Sequence, residues 1–332
     1  MCGIDRYPMR QSNLWQQISP SPRVRVISDN DYSGDPDGLV QLAHHLLSPS
    51  VLTTAIIATR LRPNDGWGSS RDSIEEAVEC AERIVELCHL PTNPKIFRGA
   101  SHSLPDRSTP IESEGAREII REAMRDDTDL PLYIVCGASL TEIASAWLLE
   151  PRIADRLTVV WIGGHEHEGL AVPPPGGSDM EYNLHVDPIA GQVLFNDSNL
   201  KLWQVPRDSY RSVIASFAEL HERMSLAGEL GAHLFGALSS VAKRLMAEGY
   251  NPGETYVLGD SPLVLLTALQ TTFEPDASSS EFFEVKAPLI TDSGLYEQNP
   301  NGRTIRVFRR LDNRVLLEDL YSKLSGLARQ YS

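Results

Sequence analysis

The residues best suited to chemistry in this sequence are four aspartates within nine positions. Asp29, Asp31, Asp35 and Asp37 lie in the segment SDNDYSGDPDG, directly after a short apolar run that is typical of a β-strand. Carboxylates crowded at the end of a strand repel one another unless a proton or a cation lies among them. A divalent ion with oxygen ligands, Ca²⁺ or Mg²⁺, would remove that repulsion. The carboxyl ends of strands are where open α/β sheets bind ligands, so the segment predicts a metal and ligand site.

The same segment is also compatible with a simpler structure, a solvated turn rich in Asp, Gly and Pro. An EF-hand loop fits less well, because neither the glycine of its turn nor the glutamate at its last position is in place. On this segment alone, the turn and the metal site remain alternatives.

Other polar segments could contribute to a site. Glu181 and Asn183 are two positions apart, so in an extended chain both side chains project to the same face; the alternative is an ordinary pair on a surface loop. His165 and His167 follow two glycines at the end of a predicted strand, where they could supply a proton or a second metal ligand, or lie in an exposed polar loop. Trp67 could stack on an aromatic ring or pack at the start of a helix.

The elements that must position these residues follow an alternating pattern of short apolar runs and amphipathic stretches. Strands are predicted at residues 23–28, 51–59, 130–136, 157–162 and 200–205. Helices are predicted at residues 38–47, 73–87, 114–125, 139–149, 188–196, 209–224, 263–269 and 316–328, with His44 and His45 interpreted as structural. Residues 282–288 and 304–311 indicate an antiparallel addition. The pattern predicts an α/β fold with a doubly wound, mostly parallel sheet and with helical and β-hairpin additions.

Composition limits the classes of function. The chain has 332 residues and a net charge of −15, which repels nucleic acid and anionic membranes. No apolar run approaches the roughly 18 residues that span a bilayer, and the first 15 residues lack the apolar stretch of a signal peptide, so a cytoplasmic location is expected. The 4 cysteines are too few and too scattered for a disulfide framework. We expect residues 1–22 to be an N-terminal extension and residues 23–332 to form one α/β domain.

Several segments, taken together, resemble the inosine-uridine-preferring nucleoside hydrolase family. Residues 29–37 resemble the family's motif DxDxxxDD, residues 136–164 are similar to its TGPLTNIA, LEPRI and VVxMGG run, and residues 181–190 match EFNxxxDPEA. Residues 259–263 lie where the family has HDPLA, and residues 302–304 resemble its late GRT. Because the order and spacing hold from about residue 23 to the end, the chain is identified as a divergent member.

The resemblance implies a calcium-dependent hydrolase of an N-ribosyl, nucleoside-type bond. In that family aspartates and one backbone carbonyl hold Ca²⁺, which binds a water and the ribose diol, and one aspartate takes the proton of the attacking water. The metal ligands implied here are Asp31, which is also the general base, Asp37, Asp260 and the carbonyl of Gly137, or of Cys136 if the alignment shifts by one. The substrate-binding residues implied are Asp35, Glu181, Asn183 and Asp260. A homo-oligomer, dimer or tetramer, and a small nucleoside or ribosyl substrate are implied as well.

The sequence departs from the family pattern at the acidic segment and near the leaving group. Pro36 lengthens the loop by one residue, which leaves open whether Asp35 or Asp37 is the metal ligand. Gly259 stands where many members have a histidine that protonates the leaving group, and a glycine has no proton to donate. The leaving group therefore needs little help, receives its proton elsewhere, or differs from that of other members.

Two further segments differ, and they keep rival functions open. Thr59 and Arg60 stand where the family has glycine and asparagine after the second strand. The asparagine that usually precedes the EFN motif has no counterpart, although Ser178 or Asp179 could substitute. A non-catalytic nucleoside-binding or sugar-binding homologue is one alternative. A hydrolase of a different glycoside is the other.

Overall fold

An eight-stranded sheet is the central element of the computed structural model, which describes residues 21–63, 73–175, 177, 180–270 and 280–331. The strands, with two short two-stranded sheets included, are β1 Val24–Asn30, β2 Val51–Ala58, β3 Lys95–Arg98, β4 Leu132–Cys136, β5 Leu157–Ile162, β6 Lys201–Val205, β7 Ile214–Ser216, β8 Thr255–Val257, β9 Glu281–Lys286, β10 Leu289–Ile290, β11 Tyr296–Glu297 and β12 Thr304–Arg310. The expected extension at residues 1–22 lies almost wholly outside the described residues and stays a prediction.

The helices flank this sheet. They are α1 Asp37–Leu46, α2 Ser73–Leu87, α3 Glu114–Ala123, α4 Thr141–Leu149, α5 Tyr182–Val186, α6 Pro188–Gln192, α7 Arg207–Tyr210, α8 Phe217–Leu220, α9 Gly228–Ala247, α10 Pro262–Leu265 and α11 Asn313–Tyr331. None of the helices in the described part of the chain has the length and apolarity needed to cross a membrane.

The order of the strands creates a crevice at the end of β1. In the large sheet the order is β3-β2-β1-β4-β5-β6-β12-β9, and every neighbouring pair is parallel except β12 with β9. The chain first builds outward from β1 through β2 to β3 and then returns to β4 on the other side of β1. This reversal is the topological switch point where such sheets bind ligands. The predicted doubly wound, mostly parallel fold is confirmed, and so is its antiparallel addition.

Both faces of the sheet are covered, which explains the near-continuous apolar runs of its strands. Successive residues of β1 point to opposite faces: Val26 packs in a core with α1, α2, α9 and α11, and Ile27 packs in a second core with α3, α4 and α6. The cores hold the strand ends rigidly, so polar residues that follow the strands are fixed at the carboxyl edge.

One helix prediction failed, and one long helix was not predicted. The helix expected at residues 209–224 is instead α7, strand β7, α8 and a π-helical turn, because Ile214–Ser216 pairs with Thr255–Val257 in an antiparallel ladder. Helix α9 was missed. Its glycines weaken the helical signal, and burial of Leu230, Leu234 and Leu238 in the tertiary core compensates for them.

The two buried histidines of α1 predict that the fold weakens in acid. Burial lowers the pKa of His44 to about 4 and that of His45 to about 3, so below pH ~6.5 the unfolded chain takes up protons that the native state excludes. Stability present at neutral pH is therefore lost as the pH falls from about 6.5 towards 4. The free energy of unfolding measured in urea should fall by about 2 kcal/mol less between pH 7 and 4.5 in His44→Gln than in the wild type. An unchanged pH dependence in this variant would contradict the assignment.

Candidate active site

A cavity of about 270 Å³ lies at the carboxyl edge of the sheet beside the end of β1. It is lined by Asp31, Asp35, Asp37, Gly137, Ile162, Glu181, Tyr182, Asn183, Tyr210, Gly259 and Asp260. The structure thus places all the residues proposed from the sequence for catalysis, substrate binding and metal binding in one cavity, although they come from segments far apart in the chain. Their individual roles stay predictions.

The acidic segment turns sharply from β1 into α1. The Asp31 carbonyl accepts a hydrogen bond from the Gly34 amide at 2.7 Å, and Asp37 begins the helix directly after Pro36. The extra residue therefore fits a helix start, where a proline is well tolerated. Asp35 and Asp37 both line the cavity, so the longer loop turns neither away from it.

Asp29, the remaining aspartate of the segment, lies below the cavity rather than in it. Its side chain is fully buried next to the Cys136 thiol, and one carboxylate oxygen has no hydrogen-bond partner. Burial, with the nearby charges of Glu142 and Asp31, raises its pKa well above the ordinary value. The sequence could not distinguish this aspartate from its neighbours. Every residue of β1 is buried, so the sequence pattern does not show which aspartates face the cavity and which lie beneath it.

The three aspartates proposed as metal ligands sit in an excess of negative charge. Burial and the nearby charges of Asp35 and Glu181 raise the pKa of Asp260 to about 7. Burial and the charge of Asp260 raise the pKa of Asp37 as well. No lysine or arginine is among the described residues that line the cavity, although the charge of Arg244 lowers the pKa of Asp35 against the larger effect of burial.

The carboxylates of the cavity do not converge as the ligands of a bound metal ion do. Among the described residues, no group of three or more His, Cys, Asp or Glu side chains has an arrangement that could hold a metal ion. One oxygen of Asp37 accepts the Asp260 amide at 3.0 Å, and one oxygen of Asp260 accepts the Asn30 side-chain amide at 2.9 Å. The chemistry of the donors still fits a hard divalent cation, since the set consists of buried oxygens with surplus negative charge.

Gly137 follows β4 and lies against the side chain of Asn30. A Cβ at this position would come within 2.3 Å of the Asn30 side-chain nitrogen, so the close approach requires glycine. The Gly137 carbonyl accepts a hydrogen bond from Asn183 Nδ2 at 2.9 Å. Gly137 lines the cavity, whereas Cys136 is fully buried beneath it, which favours Gly137 of the two carbonyls considered.

Glu181 and Asn183 reach the cavity from a helix and not from an extended segment, so that part of the sequence reasoning was wrong. Glu181 caps α5: one oxygen accepts the amides of Gly164 at 2.7 Å and Leu184 at 3.1 Å. Its other oxygen accepts the Tyr210 hydroxyl at 2.9 Å. The cap fixes the carboxylate at the cavity wall, and Asn183 lies in the first turn of the helix that follows.

Tyr210 is a lining residue that the sequence did not suggest. It ends α7, its hydroxyl donates to Glu181, and its ring lies 3.2 Å from the Cβ that any side chain at Gly259 would carry. A tyrosine in a segment expected to be one long helix gave no signal of this contact. The ring occupies the space beside Gly259.

Burial and hydrogen bonds place His165, His167 and Arg60 away from the cavity lining. His167 is buried and bonds Gln204 at 2.8 Å, and His165 packs its ring against Tyr296, so neither histidine lines the cavity. The loop is therefore not an exposed polar one either. Arg60 is buried and donates to the Val186 carbonyl at 3.0 Å. Trp67, Ser178 and Asp179 lie outside the described residues.

Comparison with known families settles the relationship. The family described as "Inosine-uridine preferring nucleoside hydrolase" matches residues 67–315. The chain belongs to this family. The membership inferred from the motifs is confirmed, and the acidic segment at residues 29–37 is the one motif block that lies outside the matched range.

Individual relatives of the family show how far this chain has diverged. It is 35% identical over 95 residues to an inosine-uridine preferring nucleoside hydrolase of Leishmania major, a match that covers 28% of this chain and 29% of that protein. It is 36% identical over 96 residues to the protein of the same description from Crithidia fasciculata, covering 29% and 28%. The match thus spans less than a third of the length of these relatives.

A solved structure extends the comparison to the whole fold. The purine-preferring ribonucleoside hydrolase from Gardnerella vaginalis superposes with a TM-score of 0.71 at 18% identity, covering 92% of this chain and 99% of that one. At this identity the likeness shows the fold alone.

Proposed function

We propose that this protein is a calcium-dependent hydrolase that cleaves the N-glycosidic bond of a nucleoside-type ribosyl substrate. The observation that carries the proposal is the single cavity that gathers Asp31, Asp37 and Asp260 with Glu181 and Asn183 in a member of this family. The relatives named above are described as nucleoside hydrolases.

Ca²⁺ would be held by the carboxylates of Asp31, Asp37 and Asp260 and by the carbonyl of Gly137. When bound, it supplies a lowered water pKa and a fixed position for the sugar hydroxyls. The excess negative charge described above supports this role, because a hard cation removes the repulsion among buried carboxylates.

The residues of the chain then divide the reaction between them. Asp31 takes the proton of the water that attacks the anomeric carbon. Asp35, Glu181 and Asn183 hold the ribose hydroxyls. The leaving nitrogen departs as positive charge develops on the sugar ring, and the surrounding carboxylates stabilise that charge in an oxocarbenium-like transition state.

An apolar recess lies beside Asp35 and supports an aromatic leaving group. This second cavity, of about 260 Å³, is lined by Asp35 together with Phe217, Leu245, Tyr256 and other apolar residues. The Tyr256 hydroxyl donates to Asp35 at 2.6 Å at the boundary with the first cavity. A flat nitrogenous base buries apolar ring surface, and the recess offers matching surface next to the sugar site.

The proposal is tested by hydrolysis of a panel of nucleosides. The protein is incubated with purine and pyrimidine ribosides and an aryl riboside in the presence of Ca²⁺, and ribose is measured as reducing sugar. Release that stops with a chelator and resumes with Ca²⁺ is expected. Binding without release would favour a non-catalytic homologue, and cleavage of the aryl riboside alone would favour a different glycoside. The cytoplasmic location and the dimer or tetramer stay predictions.

Tyr210→Phe provides a prediction about the sugar end of the cavity. Loss of the hydroxyl leaves one oxygen of Glu181 without its donor, which disfavours the ionised and oriented carboxylate. Because hydrogen bonds to charged groups contribute about 1.5–3 kcal/mol, KM for a cleaved riboside should rise about tenfold or more while kcat changes less. Tyr296→Phe is the control, since that hydroxyl accepts from Gln204 outside the lining of the cavity. Equal effects of the two variants would contradict a role for Tyr210.

A further inference from the structure

We propose that Gln41, His45 and Thr267 are positioning residues for the active site and act through Asn30 on Asp31 and Asp260. Five side chains form a hydrogen-bonded chain that runs from the cavity wall into the core between α1 and α10: Asp260, Asn30, Gln41, His45 and Thr267. Asp31 joins it through its backbone amide. The inference rests on the proposed function for its kinetic consequences, but its structural consequences can be measured separately.

Asn30 is the point at which the chain meets the site. Its side-chain oxygen accepts the amide of Asp31 at 2.9 Å, and its side-chain nitrogen donates to Asp260 at 2.9 Å and to Gln41 at 3.3 Å. One amide group thus links two aspartates that are more than 220 positions apart in the sequence. If the amide turned over, its nitrogen would face the Asp31 amide and its oxygen would face the Asp260 carboxylate, and both contacts would become repulsive.

The far end of the chain favours the same orientation of that amide. The Thr267 hydroxyl donates to the Leu263 carbonyl at 2.7 Å, so it can only accept from His45 Nε2, which lies at 2.9 Å. His45 therefore carries its proton on Nε2 and presents Nδ1 as an acceptor.

The next link follows from this tautomer. The Gln41 side-chain nitrogen faces His45 Nδ1, which leaves the Gln41 oxygen to face Asn30. Ser28 contacts both polar atoms of Gln41 and accepts from Tyr32, so it tolerates either orientation and does not select one. The direction that Thr267 and His45 favour at Gln41 is therefore the same one that Asp31 and Asp260 favour at Asn30.

Burial strengthens the preference of these hydrogen-bonded side chains for one orientation. Asn30, Gln41 and His45 are each fully buried, and Thr267 is 2% exposed. An unsatisfied donor or acceptor at such depth is costly, so reversal of one link would force reversal of the others. His45 stays neutral because burial lowers its pKa, which keeps Nδ1 available as an acceptor.

Close packing leaves Asn30 no room to adapt. A Cβ on Gly38 would lie 2.9 Å from its side-chain nitrogen, and a Cβ on Gly137 would lie 2.3 Å from the same atom. The two glycines hold the amide from opposite segments, α1 and the end of β4. Rotation of the amide is therefore restricted, and the hydrogen bonds select its orientation.

The test uses Thr267→Val, which keeps the shape of the side chain and removes the hydroxyl that accepts from His45 Nε2. Thr267→Ser restores the hydroxyl. Ca²⁺ affinity measured by calorimetry should weaken about tenfold or more in the valine variant, as is usual when a supporting partner of a metal ligand is lost, and should recover in the serine variant. For a riboside that the wild type cleaves, kcat at saturating substrate should fall in parallel while unfolding remains cooperative.

Ser48→Ala is the matched control. Ser48 lies just after the end of α1, is buried and accepts a hydrogen bond from Lys323 of α11, and none of its described hydrogen bonds reaches Asn30. It should lower stability without changing Ca²⁺ affinity or kcat. If Thr267→Val and Ser48→Ala changed these quantities equally, or if the serine variant failed to recover, the positioning role would be wrong.

A crystal structure of Thr267→Val separates this inference from the proposed function. A displaced Asn30 side chain or a displaced Asp260 carboxylate supports positioning even if the wild type neither binds Ca²⁺ nor cleaves ribosides, an outcome that would reject only the proposed function. An unchanged arrangement of Asn30 and Asp260 would overturn the inference.

Discussion

Asp31→Asn should abolish measurable turnover of any riboside that the wild type cleaves, with kcat lowered by about a thousandfold or more. The amide keeps the size of the side chain, but it cannot accept a proton from the attacking water, and loss of a general base alone costs about 10²–10⁴-fold. The same change removes one negative oxygen from the proposed calcium ligands. Steady-state release of ribose at saturating Ca²⁺ and substrate measures the effect.

The assignment of Asp31 as the base is distinguished from simple loss of folding by a second variant. Asp319→Asn removes a carboxylate from another buried polar cluster, where it bonds His44 at 2.7 Å outside the cavity. It should reduce stability and leave kcat near the wild-type value. If Asp31→Asn retained more than about a tenth of the wild-type kcat with excess Ca²⁺, a different group would be the base.

The sequence predicts the sheet well because its strands are buried on both faces. The expected strands at residues 51–59 and 157–162 correspond closely to Val51–Ala58 and Leu157–Ile162. Helix α2 has the expected bounds, since its apolar stripe and charged face follow one period throughout. The sequence fails where stability comes from tertiary contacts, as in the glycine-containing helix α9 and the short β7–β8 ladder.

The site divides in a similar way. Aspartates at the end of a predicted strand indicate a possible metal or ligand site by their residue type alone. The resemblance to a family then added Glu181, Asn183 and Asp260 to that site. Asn30, Tyr210 and Gln41 carry no such signal, because an amide or a phenol becomes informative only when its hydrogen-bond partners are known. The partners of Asn30 come from the residue after β1, from α1 and from the segment before α10, so their meeting depends on the complete fold.

Asp260→Asn should weaken Ca²⁺ binding strongly but allow partial recovery of activity at high Ca²⁺. Asp260 is proposed as a ligand and not as the base, so the proton transfer to Asp31 remains possible once the ion is bound. We expect the dissociation constant for Ca²⁺ to rise about a hundredfold, because affinity at oxygen sites depends on the number of charged ligands. Calorimetry measures the affinity, and titration of activity with Ca²⁺ measures the recovery.

Thermal unfolding gives this prediction a further readout. Without Ca²⁺, Asp260→Asn should unfold at the same or a higher temperature than the wild type, because one of the mutually repelling carboxylates is gone, and the rise in melting temperature on adding Ca²⁺ should shrink. Ser261→Ala is the matched control: its buried hydroxyl, next in sequence, has no hydrogen-bond partner in the described structure, so the calcium response should persist. An unchanged calcium response in Asp260→Asn would remove Asp260 from the ligand set. Such a result would leave its contact with Asn30 as a structural link between α10 and β1.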